Sequence, residues 1–275
     1  MVTQSELIGH HPDNTDIFAT WLNCTDIPVT DTKNHRSLTA IDNNHTNELI
    51  EWLGRRIFDH HHSEDRVCRL KAKLKEIGYE KYASQYRNFP INVKTQRGNA
   101  TEIILLEYVK NCLKKQLIHA YRLRYNPNAD QAMKGDDVLL VDYLEDKQKV
   151  RVYLGEAKFR GTPDKAVIDQ ICQALSKDKK PLSYTFLVDR LVDARKDDLA
   201  NLLETFIIDE IKNDGDLVYA GLILSTRKSH DAVERHMKSD NSAFVLISIG
   251  IDSPTELIDK AFQKAEYFLN HPDEL

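Results

Sequence analysis

The sequence predicts an α/β protein, a fold class in which short strands alternate with amphipathic helices. Two neighbouring runs, 137–144 and 149–159, alternate apolar and other residues as the strands of a hairpin do. Two further apolar runs, 217–225 and 243–250, are also typical of strands, and helical periodicity occupies the stretches between them. A chain of 275 residues, 41% of them hydrophobic and 29% charged, is long enough and apolar enough to bury a sizeable core.

The N-terminal part of the chain predicts loops followed by helices. Residues 1–45 are rich in Asn, Asp, Thr and His, which is typical of a loop-rich segment with some β-structure. Residues 47–77 carry apolar stripes at helical spacing, and 87–97, with an internal proline, predicts a connector and a subdomain boundary. The three adjacent histidines at 60–62 suggest a metal site, because histidine is a common ligand. Three neighbours on a regular element cannot all face one ion, so we expect a solvated connector there.

From Ala100 onward the pattern is more regular. Thr162-Pro163-Asp164 predicts the start of a helix, with a capping hydroxyl, a proline at the first position and an acid in the first turn. The predicted elements are a helix over 100–115, strands over 116–125, 137–144 and 149–159, a helix over 162–177, a strand over 183–189, a helix over 194–213, strands over 217–225 and 243–250, and a helix over 254–269. The first six of these have the order α-β-β-β-α-β.

Composition excludes several classes of protein. The longest apolar stretch, at 217–224, is far too short to cross a bilayer, and the N-terminus lacks the basic head and apolar run of a signal peptide. Four cysteines, at positions 24, 68, 112 and 172, are too far apart for a CxxC metal site or a disulfide framework. We therefore expect a cytoplasmic protein in a reducing compartment, with no membrane partner.

The charge is unevenly distributed along the chain. The net charge is −5, yet residues 97–190 carry seventeen Lys and Arg against thirteen acids, and residues 191–275 carry nine against seventeen. A basic middle section is consistent with a local surface that faces phosphates. Ordinary variation between segments explains the same numbers, and it is the favoured explanation when charge is considered alone.

The hairpin allows a geometric prediction. If its turn is centred between Asp146 and Lys147, the hydrophobic pattern places Asp137 opposite Glu156, on a face whose other members are apolar. Lys158 lies two residues after Glu156 and therefore projects from that same face. The register thus brings two carboxylates and one amine together at the end of the hairpin.

These residue types suit metal-assisted hydrolysis. Asp137 and Glu156, with the backbone carbonyl of Ala157, offer a hard cation several oxygen ligands and leave positions for water and a phosphate. Lys158 would orient the attacking water or offset the charge that develops on phosphorus. The alternative is a cross-strand ion pair at a sheet edge. Partly buried like charges are costly without a cation, which favours the metal interpretation.

The residues Gly135-Asp136-Asp137 and Gly155-Glu156-Ala157-Lys158 on an α-β-β-β-α-β pattern resemble the PD-(D/E)xK nuclease superfamily, which has a restriction-endonuclease-like core. The resemblance implies that Asp137 and Glu156 bind Mg²⁺ and that Lys158 serves the nucleophilic water. Mn²⁺ is an alternative, because oxygen ligands accept both ions. Asp136 is a rival for the first acid, although alternation points it to the opposite face. The proline of the superfamily name is missing.

Many members of that superfamily add a glutamate in the preceding helix, and here the matching residue is Glu102. The resemblance implies a further metal ligand and catalytic residue at this position. Asn99 three residues earlier suggests a capping box instead, in which Glu102 closes the first turn of the helix. The two interpretations are compatible, and both stay open at this point.

A closer resemblance rests on Arg97-Gly98, the run 120–126 (AYRLRYN) and the two motifs above, and covers about 95–225. These residues resemble the HamA family, the nuclease subunits of the Hachiman antiphage defence system. That resemblance implies a partner, the superfamily 2 helicase HamB, which restrains the nuclease and responds to DNA. The chain has no GxxxxGK[ST] loop, so an ATP-driven step would come from such a partner.

We therefore expect a Mg²⁺-dependent DNA nuclease in a helicase-containing defence complex. A stand-alone restriction-type endonuclease is one alternative, and a catalytically inactive DNA-binding scaffold is the other. The expected segments are a partner-binding region over 1–96, the nuclease core over 97–225, and an acidic α/β extension over 226–275 packed on that core.

Overall fold

The computed structural model describes residues 1–13, 15–42, 45–76, 78, 89–131, 133–144, 149–177, 181–213 and 217–271. Its strands are β1 (Leu22–Asp26), β2 (His35–Ala40), β3 (Val138–Leu144), β4 (Lys149–Phe159), β5 (Leu217–Ser225) and β6 (Phe244–Gly250). Its α-helices are α1 (Gln4–Ile8), α2 (Ile17–Trp21), α3 (Asn47–His61), α4 (Glu64–Glu76), α5 (Val93–Leu113), α6 (Lys165–Ala174), α7 (Tyr184–Asp193), α8 (Asp197–Asn213), α9 (Ser229–His236) and α10 (Pro254–Asn270). A 3₁₀ helix spans Arg122–Tyr125.

The six strands form one mixed sheet in the order β1-β2-β6-β5-β4-β3. Strands β2, β6, β5 and β4 run parallel to their neighbours in that order, while β1 and β3 pair antiparallel at the two ends. Every residue of β5 and β6 is buried, because helices cover both faces of the centre of the sheet. The α/β fold class is therefore confirmed.

Two hydrophobic cores lie on opposite faces of the sheet. One contains apolar side chains of α1, α2, α3, α5 and α10, and the other contains those of α6, α7, α8 and α9. No helix in the described part of the chain is long and apolar enough to cross a membrane.

The register of the hairpin is confirmed. Leu139 pairs with Leu154 and Val141 with Val152, as the hydrophobic pattern predicts, although the turn at 145–148 lies outside the described residues. Strand β3 begins one residue later than predicted, so Asp137 directly precedes the strand. The alternation of side chains along a strand therefore does not fix the direction of the Asp137 side chain.

Two predicted strands are wrong. Within 116–125 a single β-bridge joins Ile118 to Val141, and the 3₁₀ helix follows. The run 183–189 belongs to α7, whose buried residues Tyr184, Leu187, Val188 and Leu191 have helical spacing. A short apolar run is compatible with a strand or with a buried helix, and here the run forms a helix. The order over this stretch is consequently α-β-β-α-α, instead of α-β-β-β-α-β.

The three predicted segments share the one sheet. Residues 1–96 contribute β1 and β2, residues 97–225 contribute β3 to β5, and residues 226–275 contribute β6, which lies between β2 and β5. Helix α10 packs against α3, which joins the two ends of the chain. The segment boundaries stay a prediction about function, since the sheet itself continues across all of them.

The histidine run is buried, so the predicted solvated connector is wrong. His60, His61 and His62 lie at the end of α3 with at most 7% of their surfaces exposed. His60 Nε2 contacts a carboxylate oxygen of Glu107 at 3.0 Å, and His61 Nε2 lies 3.1 Å from the side-chain amide of Asn99. Tertiary packing against α5 supplies partners that the local sequence does not reveal.

We expect these buried histidines to lower the stability of the folded protein in mild acid. Burial lowers the pKa of His61 to about 4 and that of His62 to about 3, so both are neutral when folded. The unfolded chain binds protons near pH 6.5, and each histidine therefore costs about 2 kcal/mol of stability by pH 5. We expect His62→Phe to reduce the difference between urea midpoints measured at pH 7 and pH 5. The exposed His10→Gln should leave that difference unchanged, and an unchanged difference in His62→Phe would contradict the assignment.

Candidate active site

The four predicted side chains meet at one end of the hairpin. Asp137 precedes β3, Glu156 and Lys158 lie near the end of β4, and Glu102 projects from α5. Arg122 links two of them, because its Nη2 atom lies 2.7 Å from Glu102 Oε2 and 3.8 Å from Asp137 Oδ1. The strand pair and the helix thus place three carboxylates and two cations in one cluster.

Backbone and side-chain contacts orient each group. The amide of Ala157 donates a hydrogen bond of 3.0 Å to Asp137 Oδ2, which ties Asp137 to β4. Lys158 forms an ion pair with Glu156, two residues apart on one face of the strand. Fewer than a third of the side-chain surfaces of these charged residues are exposed. The carbonyl of Ala157 as a metal ligand stays a prediction.

Glu102 has a different local role from the predicted capping box. Helix α5 begins at Val93, and its N-cap is Asn92, whose side chain accepts a hydrogen bond from the amide of Lys94. Asn99 is therefore inside the helix, and Glu102 lies in its third turn instead of its first. The capping interpretation is wrong, which leaves Glu102 with the contact to Arg122 as its described partner.

The carboxylates of the cluster lie close enough together for one to raise the pKa of another. Burial first, and then the neighbouring Asp137, raise the pKa of Glu102 well above its usual range. Burial and then Glu156 raise the pKa of Asp137 in turn. Burial opposes a positive charge on Lys158, but its hydrogen bond to Glu156 and the nearby carboxylates outweigh that effect and raise its pKa. The carboxylates would therefore gain from an additional cation.

The donor chemistry fits a hard divalent cation, because carboxylate oxygens are the ligands that Mg²⁺ prefers. The side chains, however, stand in ion pairs with Arg122 and Lys158. Among the residues that the structure describes, no group of three or more His, Cys, Asp and Glu side chains is arranged to hold a metal. Glu102 and Glu156 are each held by a basic side chain in this arrangement.

Comparison with known proteins identifies the family. The HamA family model matches residues 15–265, which is most of the chain. The Hachiman protein HamA of Bacillus cereus is 38% identical over 271 residues, which are 97% of this chain and 96% of that protein. The chain belongs to the HamA family. The family match extends from before β1 to beyond β6, so it includes the whole sheet and not only the segment 95–225.

Arg122 is the site residue that sequence reasoning missed in this HamA family member. It lies in the stretch 116–125, whose alternation predicted a strand, whereas the structure has a 3₁₀ helix there and Arg122 contacts Glu102. The feature of the sequence that could have indicated its role is an arginine among alternating apolar residues, shortly before Gly135-Asp136-Asp137. Its contacts with Glu102 and Asp137 give it a position between the helix and the hairpin.

Asp136 and Asp137 point to different partners, in agreement with their predicted separation. The side chain of Asp136 accepts a hydrogen bond of 2.8 Å from the amide of Ser183, and its own amide donates to Ser183 Oγ at 2.9 Å. Gly135 allows this contact, because its φ is +127° and a Cβ there would lie 2.4 Å from Ser183 Oγ. Asp136 therefore anchors the start of α7, while Asp137 faces the charged cluster.

Proposed function

We propose that this HamA family protein is a Mg²⁺-dependent DNA nuclease with a PD-(D/E)xK-type site, and that it is the effector subunit of an antiphage defence complex. The convergence of Asp137, Glu156, Lys158 and Glu102 at one end of the hairpin carries the proposal. Its relative is named a Hachiman protein, which supports a role in defence.

The chain supplies the groups that phosphodiester hydrolysis needs. When bound, Mg²⁺ would polarise a phosphoryl oxygen and lower the pKa of an attacking water. Asp137, Glu156 and the carbonyl of Ala157 would hold the ion, with Glu102 as a further carboxylate, and Mn²⁺ accepts the same oxygen ligands. Lys158 lies beside Glu156 and would orient the water and offset negative charge at phosphorus.

The proposed nuclease activity would be regulated by a partner subunit. We propose a complex with a HamB-like helicase subunit that hydrolyses ATP, since the sequence contains no GxxxxGK[ST] phosphate-binding loop. The first 96 residues would supply the contact with this partner. DNA is the proposed substrate, and the positive excess over 97–190 supports binding to its phosphates.

A second candidate function is a nuclease fold that binds DNA without cleaving it. The ion-paired positions of Glu102 and Glu156 favour this alternative, as does the lack of a formed ligand group within the described residues. A charged cluster of this kind would then serve only to stabilise the end of the hairpin.

The test compares plasmid nicking and degradation of linear DNA in Mg²⁺ and in EDTA. Each reaction contains the full-length chain, alone or with a co-expressed helicase partner and ATP. We expect cleavage in Mg²⁺, its loss in EDTA and its recovery on adding excess Mg²⁺. Dependence on the partner supports the complex. DNA binding without cleavage under every condition would support the second candidate and contradict the first.

A further inference from the structure

A partly exposed aromatic cluster is connected to the candidate site. The rings of Tyr125 and Phe186 meet edge to face, with 5.6 Å between their centroids. The guanidinium carbon of Arg190 lies 4.8 Å from the centroid of Tyr125 and 5.4 Å from that of Phe186. Tyr125 keeps 48% of its surface exposed despite these contacts. We call these three residues the stacking platform.

One side of the platform is attached to the site through the 3₁₀ helix. Tyr125 is the last residue of that helix, and Arg122, its first residue, contacts both Glu102 and Asp137. Three residues of a 3₁₀ helix make one turn, so Tyr125 lies one turn after the arginine that contacts the charged cluster. The 3₁₀ helix therefore connects Tyr125 to the arginine that links the two carboxylates.

The other side of the platform is attached through α7. Phe186 and Arg190 are four residues apart and share one face of that helix. Ser183, at the N-cap of α7, exchanges two hydrogen bonds with Asp136, the residue immediately before Asp137. Both supports of the platform thus end at residues that contact or adjoin Asp137.

We propose that the stacking platform binds an unpaired base of a DNA strand whose backbone enters the candidate site. Bases stack on aromatic rings and on guanidinium planes, and an arginine held against two rings offers both surfaces. The bases of an intact duplex are stacked on one another, so the platform selects single-stranded or unwound DNA. This inference rests on the proposed function, because it takes the charged cluster as the place where the strand is cut.

Charge favours a nucleic acid over a protein as the occupant. Arg190 gives the platform a positive charge, which it shares with an ion pair to Asp193 at 2.8 Å. Arg160 directly follows β4, and it lies with Lys158 in the basic section of the chain. A polyanionic strand gains from these charges along its backbone while its base gains from the rings. A partner protein that covered the rings would leave binding of DNA independent of Tyr125.

The test measures binding and not cleavage, with the full-length chain in EDTA. The probes are a fluorescent single-stranded thymidine oligonucleotide, an abasic oligonucleotide of the same length, and a duplex. We expect Tyr125→Ala to bind the thymidine strand about ten-fold more weakly, because it loses one stacked base, and to bind the abasic strand and the duplex as the wild type does. Tyr125→Phe should keep the affinity, because the ring remains. Arg190→Gln should repeat the loss, since it removes the guanidinium from both rings.

A matched control is Tyr267→Ala. Tyr267 is also exposed and has a lysine, Lys264, 4.9 Å from its ring centroid, but it lies on α10. We expect it to leave all three affinities unchanged. Equal binding of the thymidine strand by the wild type and Tyr125→Ala would overturn the inference, as would an equal loss on the abasic strand. A chain that cleaves no DNA in any metal yet shows the expected base-dependent loss would overturn the proposed function and keep the platform.

Discussion

Glu156→Gln is expected to lower Mg²⁺-dependent DNA cleavage by about a hundred- to a thousand-fold, while the protein stays folded. Glutamine keeps the size of the side chain and an oxygen that accepts a hydrogen bond from Lys158, but it removes the negative charge that a cation needs. The same substitution relieves the repulsion that raises the pKa of Asp137, so we expect a thermal midpoint equal to or above that of the wild type. The measurement pairs linear-DNA degradation with thermal unfolding.

Asp142→Asn is the matched control for this substitution. Asp142 is a buried carboxylate on β3 that pairs with a lysine, Lys115, at 2.8 Å, as Glu156 pairs with Lys158 on β4. Because it lies away from the charged cluster, its loss should lower stability and leave cleavage unchanged. A lower thermal midpoint together with normal cleavage in Glu156→Gln would show that this carboxylate only stabilises the hairpin.

Asp26→Ala is expected to lower the free energy of unfolding by about 3 kcal/mol, because it leaves a buried guanidinium without its anion. Arg36 has no exposed surface, and its Nε and Nη2 atoms lie 2.6 and 2.8 Å from the two carboxylate oxygens of Asp26. Its Nη1 atom donates to the carbonyl of Gly9 at 2.9 Å. The pair thereby joins β1 and β2 to the loop after α1. Since a third of Asp26 is exposed, the expected cost lies at the lower end of the range for buried pairs.

A double variant separates loss of the pair from loss of packing. Asp26→Ala combined with Arg36→Met should be more stable than Asp26→Ala alone, because no unpaired charge remains buried. The exposed pair between Lys114 and Asp13 provides the comparison, and Asp13→Ala should leave the urea midpoint unchanged. If the double variant is less stable than Asp26→Ala, the buried charge is not the source of the loss.

Local pattern alone was sufficient for much of the centre of the fold. The hairpin register followed from which residues are apolar, since a shift of one residue would have turned Val141 and Val152 to the other face. Strands β5 and β6 and helices α8 and α10 also lie close to their predicted positions, because each is long and strongly patterned. Asp137, Glu156 and Lys158 are brought together for the same reason: their positions are set by one hairpin.

Elements with ambiguous patterns needed the surrounding structure. The run 183–189 is apolar enough for a strand, but its place between β4 and β5 over the second core makes it part of α7. The alternation at 116–125 predicted a strand, yet pairing with β3 ends after Ile118 and Arg122 turns to Glu102. The intrinsic strand propensity of a segment has little influence on its structure where contacts with distant residues stabilise another conformation more strongly.

The sequence by itself determined the fold class, the central strands and the three charged residues of the hairpin, since all of these depend on residues close together in the chain. Only the tertiary structure decided that the histidine run is buried, that β6 lies between β5 and β2, and that Arg122 joins Glu102 to Asp137. Those features join residues far apart in sequence, and no local period records which distant partner a buried polar group will find. The same reason explains why the stacking platform, built from a 3₁₀ helix and α7, became visible only in three dimensions.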